Sequence, residues 1–180
     1  MKVSQTAVHG ALLIEPRVHG DDRGFFYESW RQDAYAEAGI AEPFVQDNHS
    51  RSAKGVLRGI HYQIEQPQGK LVRATRGAVF DIAVDLRRSS PTLGRWTGHE
   101  LSEENRLMLW VPPGCGHGFL TLSAEADFQY KCTAYYAPEH ERTILWNDPD
   151  IGIDWPLDGD PSLSGKDAQG LSFADAELYP

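Results

Sequence analysis

Short apolar runs separated by turn residues dominate this chain, and their spacing favours strands over helices. In Val79-Phe-Asp-Ile-Ala-Val-Asp-Leu86 a two-residue period puts Phe80, Ile82, Val84 and Leu86 on one face and Asp81 and Asp85 on the other. One face reads as dry, the other as carboxylate-bearing. In Phe128-Gln-Tyr-Lys-Cys-Thr-Ala-Tyr-Tyr136 the same period brings Phe128, Tyr130 and Tyr136 to one side, so the two tyrosines can line a single cavity. Arg58 and His61 are three positions apart, which on a regular strand places them on opposite faces. Both reach one site only if Gly59 marks a bulge or bend.

The pattern predicts a strand over residues 11–15, a turn over 18–24 and a strand over 25–28. A short helix follows over 30–38, capped by Ser29 and stopped by Gly39. Further strands are predicted over 44–50, 56–63, 71–76, 78–85, 96–101, 106–111, 118–122, 127–136 and 143–146, with a last short helix over 172–178. Strands and turns at this regular spacing suggest a sandwich or barrel. The 180 residues fit one domain, 1–180, with no internal repeat.

Composition narrows the function classes. A formal net charge of −9 disfavours nucleic acid and anionic membrane surfaces, so an anionic ligand must meet a local cationic pocket. No apolar run approaches the length of a membrane span, and the first residues carry no signal-peptide pattern. A soluble, cytoplasmic protein is expected. Cys115 and Cys132 are too few for a disulfide framework and read as small reduced core residues, with a single bridge left open.

Three stretches carry chemistry. In Gly55-Val-Leu-Arg-Gly-Ile-His-Tyr-Gln63, His61 can take a proton near neutral pH. Lys70, in Gln68-Gly-Lys-Leu-Val-Arg73, can hold negative charge developing on an oxygen, and Tyr130 can return a proton. A base, a cation and a phenol suit proton transfer next to a carbonyl. Together with Asp22-Arg-Gly-Phe-Phe26, Gln46-Asp-Asn-His-Ser50, Phe80-Asp-Ile-Ala-Val-Asp-Leu-Arg87, Pro112-Pro-Gly-Cys-Gly-His-Gly-Phe119 and Leu163-Ser-Gly-Lys-Asp167, these strings resemble the dTDP-4-dehydrorhamnose 3,5-epimerase family. Each string alone is weak; all of them in family order are specific.

The resemblance implies a mostly β, cupin-type jelly roll with a few short helices, a homodimer, no metal and no organic cofactor. Its implied substrate is a dTDP-4-keto-6-deoxy sugar. By the same resemblance His61 is the base, Tyr130 the acid, and Lys70 lies near the keto oxygen. Asp167 matches the position that hydrogen-bonds the basic histidine, and Asp81 also lies near that same histidine. His117, in the turn before Gly118, contacts the sugar or supports Lys70. Arg23, Glu28, Gln46, Asp47, Asn48, Arg58, Glu141 and Lys166 match nucleotide-sugar ligand positions, and Tyr136 matches the residue that stacks on thymine. Gly165 departs from the family's usual Ser-Glu-Lys-Asp pattern, and Cys115 and Gly116 depart in the turn before His117.

Other readings stay open on the residues. A metal-dependent cupin normally needs a His-x-His pair, which is absent, although His49, His61 and His117 could still converge by folding. A carbohydrate-binding jelly roll without catalysis would use the aromatics as platforms. Single-carbon 3- or 5-epimerases and 3,4-ketoisomerases share the implied scaffold, and the presence of Tyr130 argues against the last.

Overall fold

The computed structural model describes all residues, 1–180. Its strands are β1 (Lys2–Gln5), β2 (Leu12–Glu15), β3 (His19–Asp21), β4 (Gly24–Phe26), β5 (Gln46–Ala53), β6 (Leu57–Gln63) and β7 (Lys70–Arg76). They continue with β8 (Ala78–Asp85), β9 (Trp96–Ser102), β10 (Met108–Val111), β11 (Cys115–Thr121), β12 (Glu125–Cys132) and β13 (Glu141–Thr143). One helix, α1 (Gln32–Glu37), and two 3₁₀ turns, Pro138–His140 and Asp167–Gln169, complete the regular elements.

Two antiparallel sheets form the expected jelly roll. One is ordered β1-β2-β10-β7-β12-β5 and the other β13-β6-β11-β8-β9, while β3 and β4 pair as a separate hairpin. Apolar side chains fill three layers. Val72, Ala74, Val79, Ala83, Leu109, Phe119 and Phe128 pack between the sheets. Outside the six-stranded sheet, Tyr35 and Ile40 seal Leu12, Ile14, Met108 and Trp110. Outside the five-stranded sheet, the Pro- and Gly-punctuated tail lays Ile151, Trp155, Phe173 and Tyr179 over Ile60, Ile82, Val84 and Leu86. Asp148 anchors that tail by accepting from the backbone N–H groups of Asp150, Ile151 and Phe173.

This covering corrects the reading of β8. Both of its faces are buried, and the carboxylate face is the one inside the barrel, where Asp81 and Asp85 share a side with Val79 and Ala83. Asp85 survives there because Arg87, Ser90 and Thr92 all donate to it. Cys115 and Cys132 are free thiols, both buried.

Other boundaries differ for local reasons. Ser29 does not cap α1: Arg31 occupies the N-cap without a side-chain bond, and the Ser29 carbonyl instead accepts from the buried Tyr35 hydroxyl at 2.9 Å. Gly39 does end the helix, at φ +96°. Residues 172–178 are not helical; Ser172 and Asp175 close a turn, and Phe173 is tied to Asp148. β1 and β3 were not predicted, the first lying in a segment with little apolar alternation and the second inside the turn-rich stretch. β12 stops at Cys132 rather than running to 136. Beyond it the Gln63 amide takes over, accepting from Ala137 N–H and donating to the Tyr135 carbonyl.

Candidate active site

Gly59 does what the spacing of Arg58 and His61 demanded. It adopts φ +125°, and the register of β6 against β11 shifts between His117 and Phe119. A Cβ at this position would lie 2.5 Å from Gly118 Cα and 2.8 Å from the His117 carbonyl oxygen, so only glycine lets the two strands approach. Beyond the bulge, Arg58 and His61 line the same cleft.

That cleft, about 350 Å³, opens between the sheets. Ten of the residues singled out in the sequence line it: Gln46, Asn48, Arg58, His61, Lys70, His117, Tyr130, Tyr136, Glu141 and Lys166. His61 stands on β6 of one sheet, Tyr130 and Lys70 on β12 and β7 of the other, so base and phenol face each other across the opening. Tyr130 and Tyr136 do share the cavity, although the chain leaves the strand between them.

Asp167 lies behind the base. Its Oδ1 accepts from His61 Nε2 at 2.6 Å and from the Gly59 N–H at 3.2 Å, and its Oδ2 accepts from Ser164 Oγ at 2.6 Å. Burial alone would raise this carboxyl, but the donors outweigh burial and hold it at about 2. An ionised carboxylate only accepts, so His61 carries its proton on Nε2 and Nδ1 is the one ring atom able to take another. Burial also pushes the His61 pKa down, against the pull of Asp167, which leaves the imidazole neutral and basic at pH 7. Gly165 changes nothing here, since a side chain at that position would meet open space while Ser164 and Asp167 make the contacts.

His117 is not in a turn. It sits within β11, buried, with Nε2 2.8 Å from Asp81 Oδ1 and its ring stacked on Phe128. Burial raises the Asp81 pKa, and His117 opposes that rise. Gly116, the departure beside it, leaves room for Ile60, which a Cβ would meet at 2.5 Å. Burial lowers the Lys70 pKa, offset in part by Cys132, Glu141 and Asp81, and raises that of Tyr130. At the mouth, Lys166 donates to Glu141 at 2.8 Å and the Tyr136 hydroxyl donates to the same carboxylate at 3.0 Å.

Three expected ligand residues stand elsewhere. Asp47 projects from the other face of β5, held by Lys131 at 3.0 Å, beside a separate depression of about 280 Å³. Arg23 pairs with Asp21 in the β3–β4 hairpin, and Glu28 lies 3.6 Å from Arg31. Asp81 and Asp167 act from behind the histidines and do not line the cleft. His49 faces outward to Asp127, so His49, His61 and His117 do not converge. Ser50, Gln68 and Phe119 line the cleft and were missed. The alternation of β5 could have found Ser50, two positions beyond Asn48 on the same face.

The model of the family described as dTDP-4-dehydrorhamnose 3,5-epimerase matches residues 5–175. The chain belongs to that family. A dTDP-4-dehydrorhamnose 3,5-epimerase of Pseudomonas aeruginosa is 61% identical over 181 residues, covering 100% of both chains. The crystal structure of dTDP-6-deoxy-D-glucose-3,5-epimerase from Legionella pneumophila, in complex with dTDP-4-keto-L-rhamnose, aligns with a TM-score of 0.96 at 51% identity, covering 99% of this chain and 97% of that one. ChmJ, a 3'-monoepimerase from Streptomyces bikiniensis in complex with dTDP-quinovose, aligns at 0.87 and 38% identity, covering 93% of this chain and 85% of that one. The 3,5-epimerase family is one of isomerases, and the same scaffold also carries a single-carbon epimerase.

The carboxylate behind the base makes a kinetic prediction. If His61 must be neutral, kcat/KM falls as pH drops through its pKa, which burial places below the ordinary 6.5. Asp167→Asn removes a contribution that raises that pKa, so the acid limb should move to still lower pH. The imidazolium formed during turnover also loses its stabilising charge, and kcat should fall by about 10²–10⁴-fold. A pH-rate profile checks both shifts. A loss confined to KM, with the limb unmoved, would make Asp167 a binding residue only.

Proposed function

We propose that this protein inverts carbons 3 and 5 of dTDP-4-dehydro-6-deoxy-D-glucose to give dTDP-4-dehydro-L-rhamnose. The observation that carries the reading is the placement of His61 and Tyr130 on opposing sheets around one cleft that also holds the Lys70 side chain. A hydrogen beside a ketone becomes acidic only as the enolate oxygen is stabilised. His61 Nδ1 takes the proton, the electron pair passes to the C4 oxygen as an enolate, and Lys70 holds that charge. Lys70 is buried and lines the cleft beside Tyr130 and His61. Tyr130 then gives its phenolic proton to the opposite face of the carbon, and His61 and Tyr130 exchange with solvent before the second inversion.

The remaining residues hold the nucleotide sugar. Arg58 and Lys166 supply charge-assisted hydrogen bonds for the diphosphate, Tyr136 offers its face to thymine, and Gln46, Asn48 and Glu141 give polar contacts. His117, fixed by Asp81, borders the sugar and supports Lys70. The reaction needs neither metal nor organic cofactor in this scheme. Cytoplasmic work is consistent with two free, buried thiols, and no helix is long and apolar enough to cross a membrane.

Arg23, Glu28 and Asp47 lie off their own cleft. Phe25 and Phe26 are 60% and 71% exposed on the hairpin that carries Arg23. A homodimer in which this hairpin covers a second copy brings Arg23 and Glu28 to the partner's cleft and buries both phenylalanines. Sedimentation showing a monomer at micromolar concentration would remove this arrangement.

The deciding experiment is NMR of the nucleotide sugar in heavy water with purified protein. Solvent deuterium should enter at carbons 3 and 5 as the product accumulates. Exchange at one carbon alone would make the protein a single-carbon epimerase, and no exchange above background would make it a binding module.

A further inference from the structure

The base is one end of a row of titratable side chains that crosses its sheet. Strands β6, β11, β8 and β9 are consecutive neighbours, and His61, His117, Asp81 and His99 stand on them in that order. His61 lies directly opposite His117, Asp81 Oδ1 is 2.8 Å from His117 Nε2, and His99 lies directly opposite Asp81. Residues directly opposite one another on one face have Cβ atoms about 4.5–5.5 Å apart. His99 shares the inner face with Leu101, two positions on along β9, which packs in the core between the sheets. The row therefore runs from the cleft to β9, the edge strand. His117 lines the cleft, Asp81 is fully buried, and His99 is half-buried, within reach of water.

Two details suit the row to carrying a proton. Asp81 Oδ1 is taken by His117, while Oδ2 is shielded from solvent and has no partner. The cross-strand neighbour of that carboxyl is His99, whose Nε2 shares a hydrogen bond with Thr97 Oγ1 at 2.9 Å, and a change of rotamer moves the ring from Thr97 toward Oδ2. Burial raises the Asp81 pKa and lowers that of His99, which brings the two closer together, as transfer between them requires. Chemistry sets the need: each inversion leaves a proton on His61 and takes one from Tyr130, while the nucleotide sugar occupies the cleft. Resting on the epimerase reading, we infer that His99 is a proton-shuttle residue, exchanging protons between solvent at the β9 edge and the cleft through Asp81 and His117. On the outward passage His61 Nδ1–H gives its proton to His117 Nδ1, His117 Nε2–H gives its own to Asp81 Oδ1, and the carboxyl group turns over and hands that proton to His99. The return passage brings a proton from His99 through Asp81 to His117 Nε2, while His117 Nδ1–H reprotonates the Tyr130 phenolate.

The test is the kinetics of His99→Ala on dTDP-4-dehydro-6-deoxy-D-glucose, at low buffer concentration and again with imidazole added. Steady-state kcat should fall about tenfold, less than the about 10²–10⁴-fold of a group that reacts directly, and imidazole, entering the space beside Asp81, should restore it. In a single turnover quenched in heavy water and read by NMR, deuterium should enter the first carbon at the native rate, because that step needs only a neutral His61. His99→Gln, which keeps a polar group beside Thr97 but cannot carry a proton, should show the same loss of kcat. Native kcat in both variants would overturn the inference. So would a loss in His99→Ala that imidazole leaves unrepaired, or a slowed first exchange, either of which would make His99 a structural residue. Failure of the epimerase reading would appear separately, as absent deuterium exchange in the native protein.

Discussion

His61→Ala should abolish entry of solvent deuterium at both carbons and lower kcat about 10³-fold or more, whereas Tyr130→Phe should keep proton exchange and lose inversion. The asymmetry follows from the facing sheets. His61 is backed by an ionised carboxylate, and its free Nδ1 is the atom that can accept a proton. Without it the cleft still binds the nucleotide sugar through Arg58, Lys166 and Tyr136 but contains no competent base. Tyr130, its pKa raised by burial, stays protonated at neutral pH and acts as donor from the other sheet. Its removal leaves His61 able to remove and return a proton on one face. Quenched-flow product analysis with NMR in heavy water separates the two variants. Persistent exchange in His61→Ala, or unchanged double inversion in Tyr130→Phe, would break the assignment of roles.

Gly59→Ala should be the most damaging change outside the reacting groups. Two penalties add: a left-handed φ of +125°, and a Cβ pressed to 2.5 Å from Gly118 Cα. Strained backbone and overpacking cost about 1–3 kcal/mol each, so a loss of about 2–6 kcal/mol is expected. For a domain of this size that lowers the thermal midpoint by roughly 5–20 °C. The strands forced apart carry His61 and His117, and a 1 Å misplacement of a catalytic group can cost about 10²-fold in rate. Differential scanning calorimetry and steady-state kinetics measure the two effects. A variant with native midpoint and native kcat would mean that the bulge does not position the base.

Much of the cleft was legible because strand periodicity and short motifs act locally. The alternation of β12 put Tyr130 inward, and the three-residue offset of Arg58 and His61 called for a bulge at Gly59, which the register shift supplies. Periodicity misled where the environment on both sides of a strand mattered. In β8 the carboxylate side looked like the wet one, but the tail from Trp146 onward covers the opposite face and encloses the whole strand. Ser29 and residues 172–178 had cap and helix signals, yet Tyr35 and Asp148 drew the local hydrogen bonds into tertiary anchors.

By itself the sequence determined a strand-rich sandwich or barrel and the residue types of a base, a cation and a phenol, since these depend on side-chain chemistry and on alternation within single strands, while the jelly roll and the placing of Asp167 behind His61 came from the resemblance of its motifs to the family. Only the tertiary structure decided that Asp81 serves His117 rather than His61, that Arg23, Glu28 and Asp47 stand away from their own cleft, and that the Ser50 hydroxyl is left without a partner. Such pairings depend on which strands the two sheets bring face to face and on how a long connection returns, and no local pattern carries that information.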